Sequence, residues 1–287
     1  MIAVPAFVAD YQVSIDAELR RLVPDSGATV QRAMAYTLLA PSKRVRPVLT
    51  LLSAEICGGR RAPALAASAA IELVHAASLI LDDLPSMDDA PLRRGRPANH
   101  KEFGEAVAIL AAFALLNLAF GTVAKAYDPA VASKMSAVLS DAVGIEGLVG
   151  GQAGDLLAAG QPIEFEMLER IHRGKTGSLF VAAAVAGGLV GGGHADAIAS
   201  LSAYAKNLGL AFQIIDDLLD VEGDPAQTGK AVRADARRTT FVSFSGVEGA
   251  RQLAAELCET ADRALRPFGR RADQLRELSA FVAGRSI

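Results

Sequence analysis

Segments with helical hydrophobic periodicity fill almost the whole chain, and no stretch alternates convincingly with the period of a strand. Breaks fall where glycine or proline interrupts the pattern, as at Gly58-Gly59, Asp128-Pro129 and Gly160-Gln161-Pro162. Without a linker or an internal repeat, the sequence predicts one all-α domain over residues 1–287. The predicted helices are Ile15 to Leu39, Pro47 to Ile56, Pro63 to Leu84, Glu105 to Ala126, Pro129 to Ala153, Ile163 to Leu189, Ala195 to Val221 and Gly249 to Val282.

Composition supports a packed helical protein and excludes several other classes. With 51% hydrophobic and 21% charged residues, the chain is neither disordered nor fibrous. Cys57 and Cys258 form neither a disulfide framework nor a zinc signature. The net charge of -3 gives no general attraction for nucleic acid, and Met1 to Asp10 has no Lys or Arg ahead of its apolar residues, unlike a secretory signal. We therefore expect a cytoplasmic protein without a nucleic-acid partner.

The segment Ala106 to Ala124 is apolar enough to raise the question of a membrane span. Alanine rather than Leu or Ile dominates it, and Glu102, Glu105 and Lys125 flank it. These features favour a helix buried in a soluble core over a membrane helix.

The first acidic cluster, Asp82-Asp83-Leu84-Pro85-Ser86-Met87-Asp88-Asp89, ends an otherwise apolar helix. Four carboxylates this close repel one another unless cations neutralise them, and Mg²⁺ prefers carboxylate, phosphate and water oxygens. Asp82 and Asp88 lie about 240° apart around an ideal helix, so they share a face only where the helix is interrupted. Pro85 can supply that interruption. A solvated acidic helix end is the alternative interpretation.

A second acidic stripe runs along one face of a later helix, where Gln213, Asp216, Asp217 and Asp220 have the spacing i, i+3, i+4 and i+7. Apolar residues occupy nearly all other faces of this helix, which favours a stripe that faces an internal cavity over one exposed to solvent. A second metal-binding carboxylate face is the simplest explanation.

Cations accompany the acidic clusters. They occur in Lys43-Arg44-Val45-Arg46, in Arg93-Arg94-Gly95-Arg96, and at Arg173, Lys175 and Lys230. His75 lies two helical turns before Asp82 and projects from the same face. Each cation alone is typical of a surface, but acidic groups that need metal beside cations that suit phosphate together predict a metal-diphosphate site.

These motifs resemble those of the trans-type isoprenyl diphosphate synthases over nearly the whole chain, and bacterial geranylgeranyl and farnesyl diphosphate synthases most of all. The first acidic cluster with Leu92 to His100 resembles the family's first aspartate-rich motif, and Phe212 to Asp220 resembles the second. Further matches are Lys43 to Pro47, Gly151-Gln152 with Asp155, His172 to Gly177 and Gly229-Lys230. The sequence departs from the family pattern at Pro41-Ser42, which replaces a Gly-Gly pair, and at Ala234, where a lysine is expected.

The resemblance implies an antiparallel helical bundle of the isoprenoid synthase type I fold around a central apolar cavity, in a homodimer. It implies Mg²⁺-dependent head-to-tail condensation of isopentenyl diphosphate with dimethylallyl, geranyl or farnesyl diphosphate. By resemblance, up to three Mg²⁺ ions are bound or oriented by Asp82, Asp83, Asp88, Asp216, Asp217 and Asp220. The residues implied for the leaving diphosphate are Arg93, Lys175 and Lys230, those for isopentenyl diphosphate are Lys43, Arg46, His75 and Arg94, and those for the cation are Thr176 and Gln213.

Product length is expected to depend on Ala77, five residues before Asp82, where short-product members of the family carry a bulky aromatic residue. Ala77 and Ser78 predict an open tunnel and a geranylgeranyl product, although Phe113 on the neighbouring helix could close the tunnel and give farnesyl diphosphate. Three other functions remain open: a terpene cyclase, a non-catalytic partner subunit of a synthase, and a helical membrane protein. The second acidic stripe argues against the cyclase, and intact carboxylates on both sides argue against the inactive subunit.

Overall fold

The computed structural model of the chain describes residues 5–222 and 239–284, and its architecture is all-α, as the sequence predicts. In chain order the helices are α1 (Ala6–Leu22), α2 (Thr29–Leu38), α3 (Val45–Ile56), α4 (Arg61–Asp82), α5 (Asn99–Phe103), α6 (Glu105–Ala126), α7 (Pro129–Val143), α8 (Leu148–Ala158), α9 (Phe165–His172), α10 (Ser178–Val190), α11 (Ala195–Glu222), α12 (Phe241–Ala264) and α13 (Asp273–Ala283). A π-helical segment (Arg173–Gly177) joins α9 to α10, and a 3₁₀ segment (Arg266–Ala272) joins α12 to α13.

The structure divides several segments that the periodicity treats as single helices. The predicted helix from Ile15 to Leu39 is α1 and α2, and the one from Pro129 to Ala153 is α7 and α8. The second division falls at Gly144 and Gly147, where the backbone leaves helical geometry. Apolar spacing survives a short turn because both helices pack against the same core, so periodicity alone does not reveal the break.

A small hairpin is the one strand pairing among the described residues, and the sequence analysis does not predict it. β1 (Leu92–Arg93) pairs antiparallel with β2 (Arg96–Pro97). Arg94 and Gly95, between the strands, both have positive φ, of 53° and 74°. Two central residues with positive φ are typical of the tight turns that match the twist of a two-stranded ribbon. The hairpin directs Arg93 back towards Asp83 at the end of α4.

Helix α4 is a central helix of the bundle and packs against α3, α6 and α10. Its residues from Ala67 to Val74 are all buried. Helix α10 approaches α3 so closely that a Cβ on Gly187 would lie 2.1 Å from the Thr50 carbonyl oxygen. Helix α11 in turn packs against α10 and runs along α12. Helix α10 thus contacts α3, α4 and α11, and these three helices carry Arg46, His75, Asp82 and the second acidic stripe.

Among the residues that the structure describes, two helices, α4 and α6, are long and apolar enough to cross a membrane by length and composition. Helix α4 is largely covered by its neighbours, whereas α6 is covered along one face only. Its buried face includes Ala108, Ala111 and Leu115, and its outer face exposes Leu110 and Phe113. The prediction that Ala106 to Ala124 is a buried core helix is therefore confirmed for the inner face of α6 and wrong for its outer face.

Candidate active site

Helical geometry ends within the first acidic cluster, at Asp82 and Asp83. Helix α4 ends at Asp82, and Pro85 has no N–H with which to continue it. The chain then folds back, because the Asp88 N–H donates to the Asp82 carbonyl oxygen at 2.9 Å and the Ala90 N–H donates to that of Asp83 at 3.2 Å. This turn removes the angular separation that an unbroken helix would impose on Asp82 and Asp88. The predicted interruption at Pro85 is therefore present.

Asp82 and Asp83 have different surroundings although they are adjacent. Within residues 5–222 and 239–284, no hydrogen bond or ion pair engages the Asp82 carboxylate. Burial raises the pKa of Asp82 to about 6, against the attraction of Lys175 and with added repulsion from Asp88. Asp83 is buried, and Arg93 binds its carboxylate through Nε, at 3.0 and 3.1 Å, and through Nη2. Asp82 therefore remains available to a cation, whereas Asp83 fixes Arg93.

The basic element before α3 is held by a buried ion-pair network. Arg44 has a φ of 50° and is the N-cap residue of α3. Its guanidinium donates to Glu72 at 2.6 Å and to Asp16 at 2.9 Å, and it is almost fully buried. A buried charge needs such partners. The paired Arg44 therefore acts as the anchor of this loop and leaves Lys43 and Arg46 on either side of it.

Arg46 reaches the centre of the bundle. Its guanidinium lies over the Phe180 ring at 4.5 Å from the ring centroid and over Phe212 at 5.8 Å. Its Nη1 lies 3.5 Å from Nε2 of His75 on α4, and because a guanidinium only donates, the imidazole nitrogen accepts. Burial, with repulsion from Arg46 and other arginines, lowers the pKa of His75 well below its ordinary value. His75 is therefore a neutral partner of Arg46.

The other basic residues of the prediction lie nearer the surface. The Lys43 ammonium lies 5.4 Å from the centroid of the Phe281 ring on α13. Arg94, at the tip of the hairpin, is exposed, and its Nη1 lies 3.5 Å from the Ala40 carbonyl oxygen. Lys230 and the substituted position Ala234 lie outside the described residues.

Lys175 and Thr176 lie in the π-helical segment before α10. Helix α8 packs against this segment backbone to backbone, since a Cβ on Gly151 would lie 2.1 Å from the Lys175 amide nitrogen. From α8, Asp155 forms an ion pair of 2.6 Å with the Lys175 ammonium. π-Helical turns occur frequently at functional sites because they shift side chains out of the helical register. Here the turn brings Lys175 close enough to attract the Asp82 carboxylate.

Hydrogen bonds connect the second acidic stripe to the π-helical segment that carries Lys175 and Thr176. The Thr176 hydroxyl donates to Oε1 of Gln213 at 2.7 Å, and Nε2 of Gln213 donates to Oδ1 of Asp217 at 3.0 Å. Asp217 is buried, whereas Asp216 and Asp220 are half-buried. The structure thus brings the π-helical segment, the first acidic cluster and α11 to one region of the bundle.

The three residues predicted to control product length do not share one environment. Ala77 is 4% exposed inside the bundle, and Ser78 is half-buried, with its hydroxyl donating to the His75 carbonyl oxygen at 2.9 Å. Phe113 is 67% exposed, because helical periodicity turns it away from the face on which Ala112 packs. This exposure argues against the hypothesis that Phe113 closes a tunnel, which stays a prediction.

Sequence reasoning missed two contributors to this region. Phe180 supports Arg46, and the backbone N–H of Phe241 at the start of α12 donates to Oδ2 of Asp217 at 3.0 Å. Phe180 lies one helical turn after Thr176, but an aromatic residue in an apolar helix gives no distinct signal. A backbone amide gives none at all.

The chemistry of the site suits a metal that is shared with phosphate. Among the described residues, no group of three or more His, Cys, Asp or Glu side chains is arranged to hold an ion by itself. Within residues 5–222 and 239–284, the desolvated Asp82 carboxylate nevertheless lacks a hydrogen-bond partner. A cation beside it would therefore stabilise its charged form. Mg²⁺ commonly takes only one or two carboxylates and completes its shell with phosphate and water oxygens. The donor set therefore fits Mg²⁺ bound together with a phosphate ligand.

Comparison with known proteins agrees with this geometry. The sequence profile of the Polyprenyl synthetase family matches residues 28–263. The chain is 43% identical to geranylgeranyl pyrophosphate synthase 11, chloroplastic, of Arabidopsis thaliana, over 95% of this chain and 79% of that one. It is 40% identical to farnesyl diphosphate synthase of Geobacillus stearothermophilus, over 92% of each. The apo structure of an FPP/GFPP synthase from Zymomonas mobilis superposes with a TM-score of 0.88 at 35% identity, over 98% of this chain and 99% of that one.

Proposed function

The chain belongs to the polyprenyl synthetase family and is a prenyltransferase, and we propose that it condenses isopentenyl diphosphate head to tail with an allylic diphosphate. One observation carries the proposal: the desolvated Asp82 carboxylate, the Lys175 ammonium and the Thr176–Gln213 oxygen pair converge on one region of the bundle. Such a region combines groups for a metal-bound diphosphate with oxygens for a developing cation.

The allylic diphosphate occupies the side of the site that carries the carboxylates. Enzymes of this family generally depend on Mg²⁺, and we propose that Asp82, Asp88 and Asp216 hold it, with up to three ions when substrate is bound. Bound there, Mg²⁺ supplies charge that stabilises the diphosphate as it leaves. Arg93 and Lys175 face the same leaving group, each positioned by a carboxylate, and Lys230 is assigned to it from the sequence alone.

Isopentenyl diphosphate occupies the opposite, metal-free side. Lys43, Arg46 and Arg94 bind its phosphates, and His75 orients Arg46 through their 3.5 Å contact. The Phe180 ring, 4.5 Å from the guanidinium, holds Arg46 in place by a cation–π contact. A guanidinium suits a diphosphate because it can donate two parallel hydrogen bonds.

Transfer requires the carbon–oxygen bond of the allylic substrate to break, which leaves a carbocation. The oxygens of Thr176 and Gln213 stabilise that charge, and the surrounding apolar helices exclude water that would trap it. The double bond of isopentenyl diphosphate supplies the electron pair for the new carbon–carbon bond. The new bond leaves a cation on the former isopentenyl unit, and that unit loses a proton to the released diphosphate to form a double bond. No protein nucleophile is needed.

We propose geranylgeranyl diphosphate as the product, with farnesyl diphosphate as the second candidate. Relatives of both kinds match the chain at similar identity, so similarity does not decide between them. Ala77 and Ser78 favour the longer product, because small side chains below Asp82 leave room for a fourth isoprene unit.

A homodimer in the cytoplasm completes the proposal. The outer face of α6 exposes Ile109, Leu110 and Phe113 in a stripe at helical spacing. Large exposed apolar patches mark association surfaces, and a second copy of the chain covers this one. We expect sedimentation velocity to give a dimer for the wild type and a monomer for the Leu110→Lys/Phe113→Glu variant. A wild-type monomer would contradict this assignment.

The decisive experiment for the reaction uses the purified chain with Mg²⁺, labelled isopentenyl diphosphate and dimethylallyl, geranyl or farnesyl diphosphate in separate assays. We expect prenyl products with at least one primer and no reaction after addition of chelator. Conversion of an allylic diphosphate to a hydrocarbon without isopentenyl diphosphate would indicate a terpene cyclase. Absence of turnover alone, with activity appearing on addition of a second synthase, would indicate a non-catalytic partner subunit.

A further inference from the structure

Asp217 differs from its neighbours in the second acidic stripe because the protein occupies both of its carboxylate oxygens. Oδ1 accepts from Nε2 of Gln213 at 3.0 Å, and Oδ2 accepts from the backbone N–H of Phe241 at 3.0 Å. The residue is 6% exposed. A carboxylate that is buried and bonded in this way has both oxygens engaged by the protein itself.

The first of these bonds determines which way the Gln213 amide points. A carboxylate only accepts, so the NH₂ group of Gln213 must face Asp217 and its carbonyl oxygen must face Thr176. The Thr176 hydroxyl then donates to that oxygen at 2.7 Å. The two oxygens assigned to the carbocation are therefore held side by side through the bond between Gln213 and the Asp217 carboxylate.

The second bond ties the same carboxylate to the start of α12. The Phe241 N–H belongs to the first turn of this helix, where backbone donors have no partner within the helix. The Phe241 ring is fully buried and lies 5.7 Å from the Phe165 ring and 5.3 Å from the His172 ring, measured between centroids. Phe165 and His172 are the first and last residues of α9, which leads directly into the segment that carries Lys175 and Thr176.

We propose that Asp217 is a positioning residue that sets the orientation of Gln213 and fastens the start of α12, and that it is not a metal ligand. Its catalytic consequence rests on the proposed function, since it acts through Gln213 and Thr176 on the cation. Its structural consequence, the anchoring of Phe241, does not depend on what the protein catalyses. The two consequences can therefore be tested separately.

The activity test compares Asp217→Asn with Glu222→Gln. Glu222 forms an ion pair of 2.6 Å with Arg251, so it also links α11 to α12, but at the surface. An asparagine side chain at position 217 offers one acceptor oxygen to two donors, which forces Gln213 to rotate or lose its bond. We expect Asp217→Asn to lower kcat at least 30-fold, with both KM values and the Mg²⁺ concentration for half-maximal rate changed less than threefold. Glu222→Gln should leave all four values unchanged.

A double substitution distinguishes positioning from metal binding. In Gln213→Glu/Asp217→Asn, the new carboxylate at position 213 accepts from Thr176 and from the new amide at position 217. The oxygen of that amide accepts from the Phe241 N–H, so all three hydrogen bonds are restored with the charge moved to position 213. We expect kcat to recover at least tenfold over Asp217→Asn. No recovery, or a tenfold rise in the Mg²⁺ requirement of Asp217→Asn, would overturn the proposal.

Hydrogen exchange at the start of α12 tests the anchor without any substrate. We expect the Phe241 amide to exchange at least tenfold faster in Asp217→Ala, which removes both acceptor oxygens, than in the wild type, and at the wild-type rate in Asp220→Ala. If the wild type fails to catalyse prenyl transfer but this difference appears, the proposed function is wrong and the anchor stands. Equal exchange in the wild type and Asp217→Ala would overturn the anchor whatever the activity.

Discussion

Asp82 is the residue on which the proposed chemistry depends most directly, since its desolvated carboxylate has no hydrogen-bond partner among the described residues. We expect Asp82→Ala to lower kcat by two to three orders of magnitude, which corresponds to about 3 to 4 kcal/mol of transition-state stabilisation. Asp89→Ala is the matched control, because Asp89 belongs to the same cluster but is exposed and faces Lys101 at 3.5 Å. Steady-state kinetics of both variants check this, and near-normal turnover in Asp82→Ala would remove Asp82 from the metal site.

Arg46 should serve isopentenyl diphosphate rather than the allylic primer, because it reaches the centre from α3, beside neutral His75 and away from the carboxylates. We expect Arg46→Ala to raise KM for isopentenyl diphosphate at least tenfold and KM for the primer less than threefold. Arg32→Ala, at an exposed arginine on α2, should change neither value. Equal rises in the two KM values for Arg46→Ala would contradict separate diphosphate sites.

At this scale the sequence predicts which residues are chemically unusual but not which partners they have. Crowded aspartates and clustered arginines stand out because their charges are costly inside an apolar bundle. The distinction between Asp82 and Asp83 arises only when the hairpin turns Arg93 back onto Asp83. A contact of that kind depends on loop geometry, which residue types and spacing do not encode.

At the scale of elements, the close approach of α3 and α10 gives a sharp prediction about Gly187. A Cβ there would lie 2.1 Å from the Thr50 carbonyl oxygen, a backbone atom that cannot move without shifting α3. We expect Gly187→Ala to lower the free energy of unfolding by roughly 1 to 3 kcal/mol. The neighbouring Gly188→Ala would meet the Leu201 Cδ1 atom at 3.0 Å, and that side chain can rotate, so its effect should be smaller. Denaturant unfolding of both variants measures the difference, and equal losses would show that the contact does not limit the packing.

Helix content was predictable from the sequence, whereas helix boundaries were predictable only where the terminating chemistry is strong. Helix α7 begins as expected, because the Asp128 side chain accepts from the Ala130 N–H at 3.0 Å and Pro129 occupies the first turn. The π-helical segment inside the predicted helix from Ile163 to Leu189 has no such signal. It arises where Gly151 lets α8 approach the backbone of that segment, a tertiary contact between distant parts of the chain.

At the scale of the whole molecule, the bundle separates the outer face of α6 from the interior that α4 occupies. Phe113 lies on the outer face and Ala77 lies inside, although both were associated with product length in the sequence. Their helices pack side by side, so the sequence analysis is right that the two residues lie on neighbouring helices. It did not identify which side of α6 residue 113 occupies, because one turn of a helix contains both faces.

Product length follows from the interior position of Ala77 and gives the final prediction. A prenyl chain that grows from Asp82 along α4 passes Ala77 after about 7.5 Å of helix, at 1.5 Å per residue. We expect Ala77→Tyr to shorten the product from geranylgeranyl to farnesyl or geranyl diphosphate while the first condensation proceeds, and Phe113→Ala to leave product length unchanged. Chromatographic sizing of the products checks both variants.

Thermal unfolding of the same Ala77→Tyr variant separates a tunnel from a packed core. If Ala77 borders open space, the added ring fills it and Tm stays close to that of the wild type. If the space is already filled, inserting the ring costs roughly 1 to 3 kcal/mol, and a domain of this size loses a few degrees in Tm. A lower Tm with an unchanged product would show that no tunnel passes Ala77. A wild-type product that already stops at farnesyl diphosphate would place the tunnel floor nearer to Asp82 than Ala77.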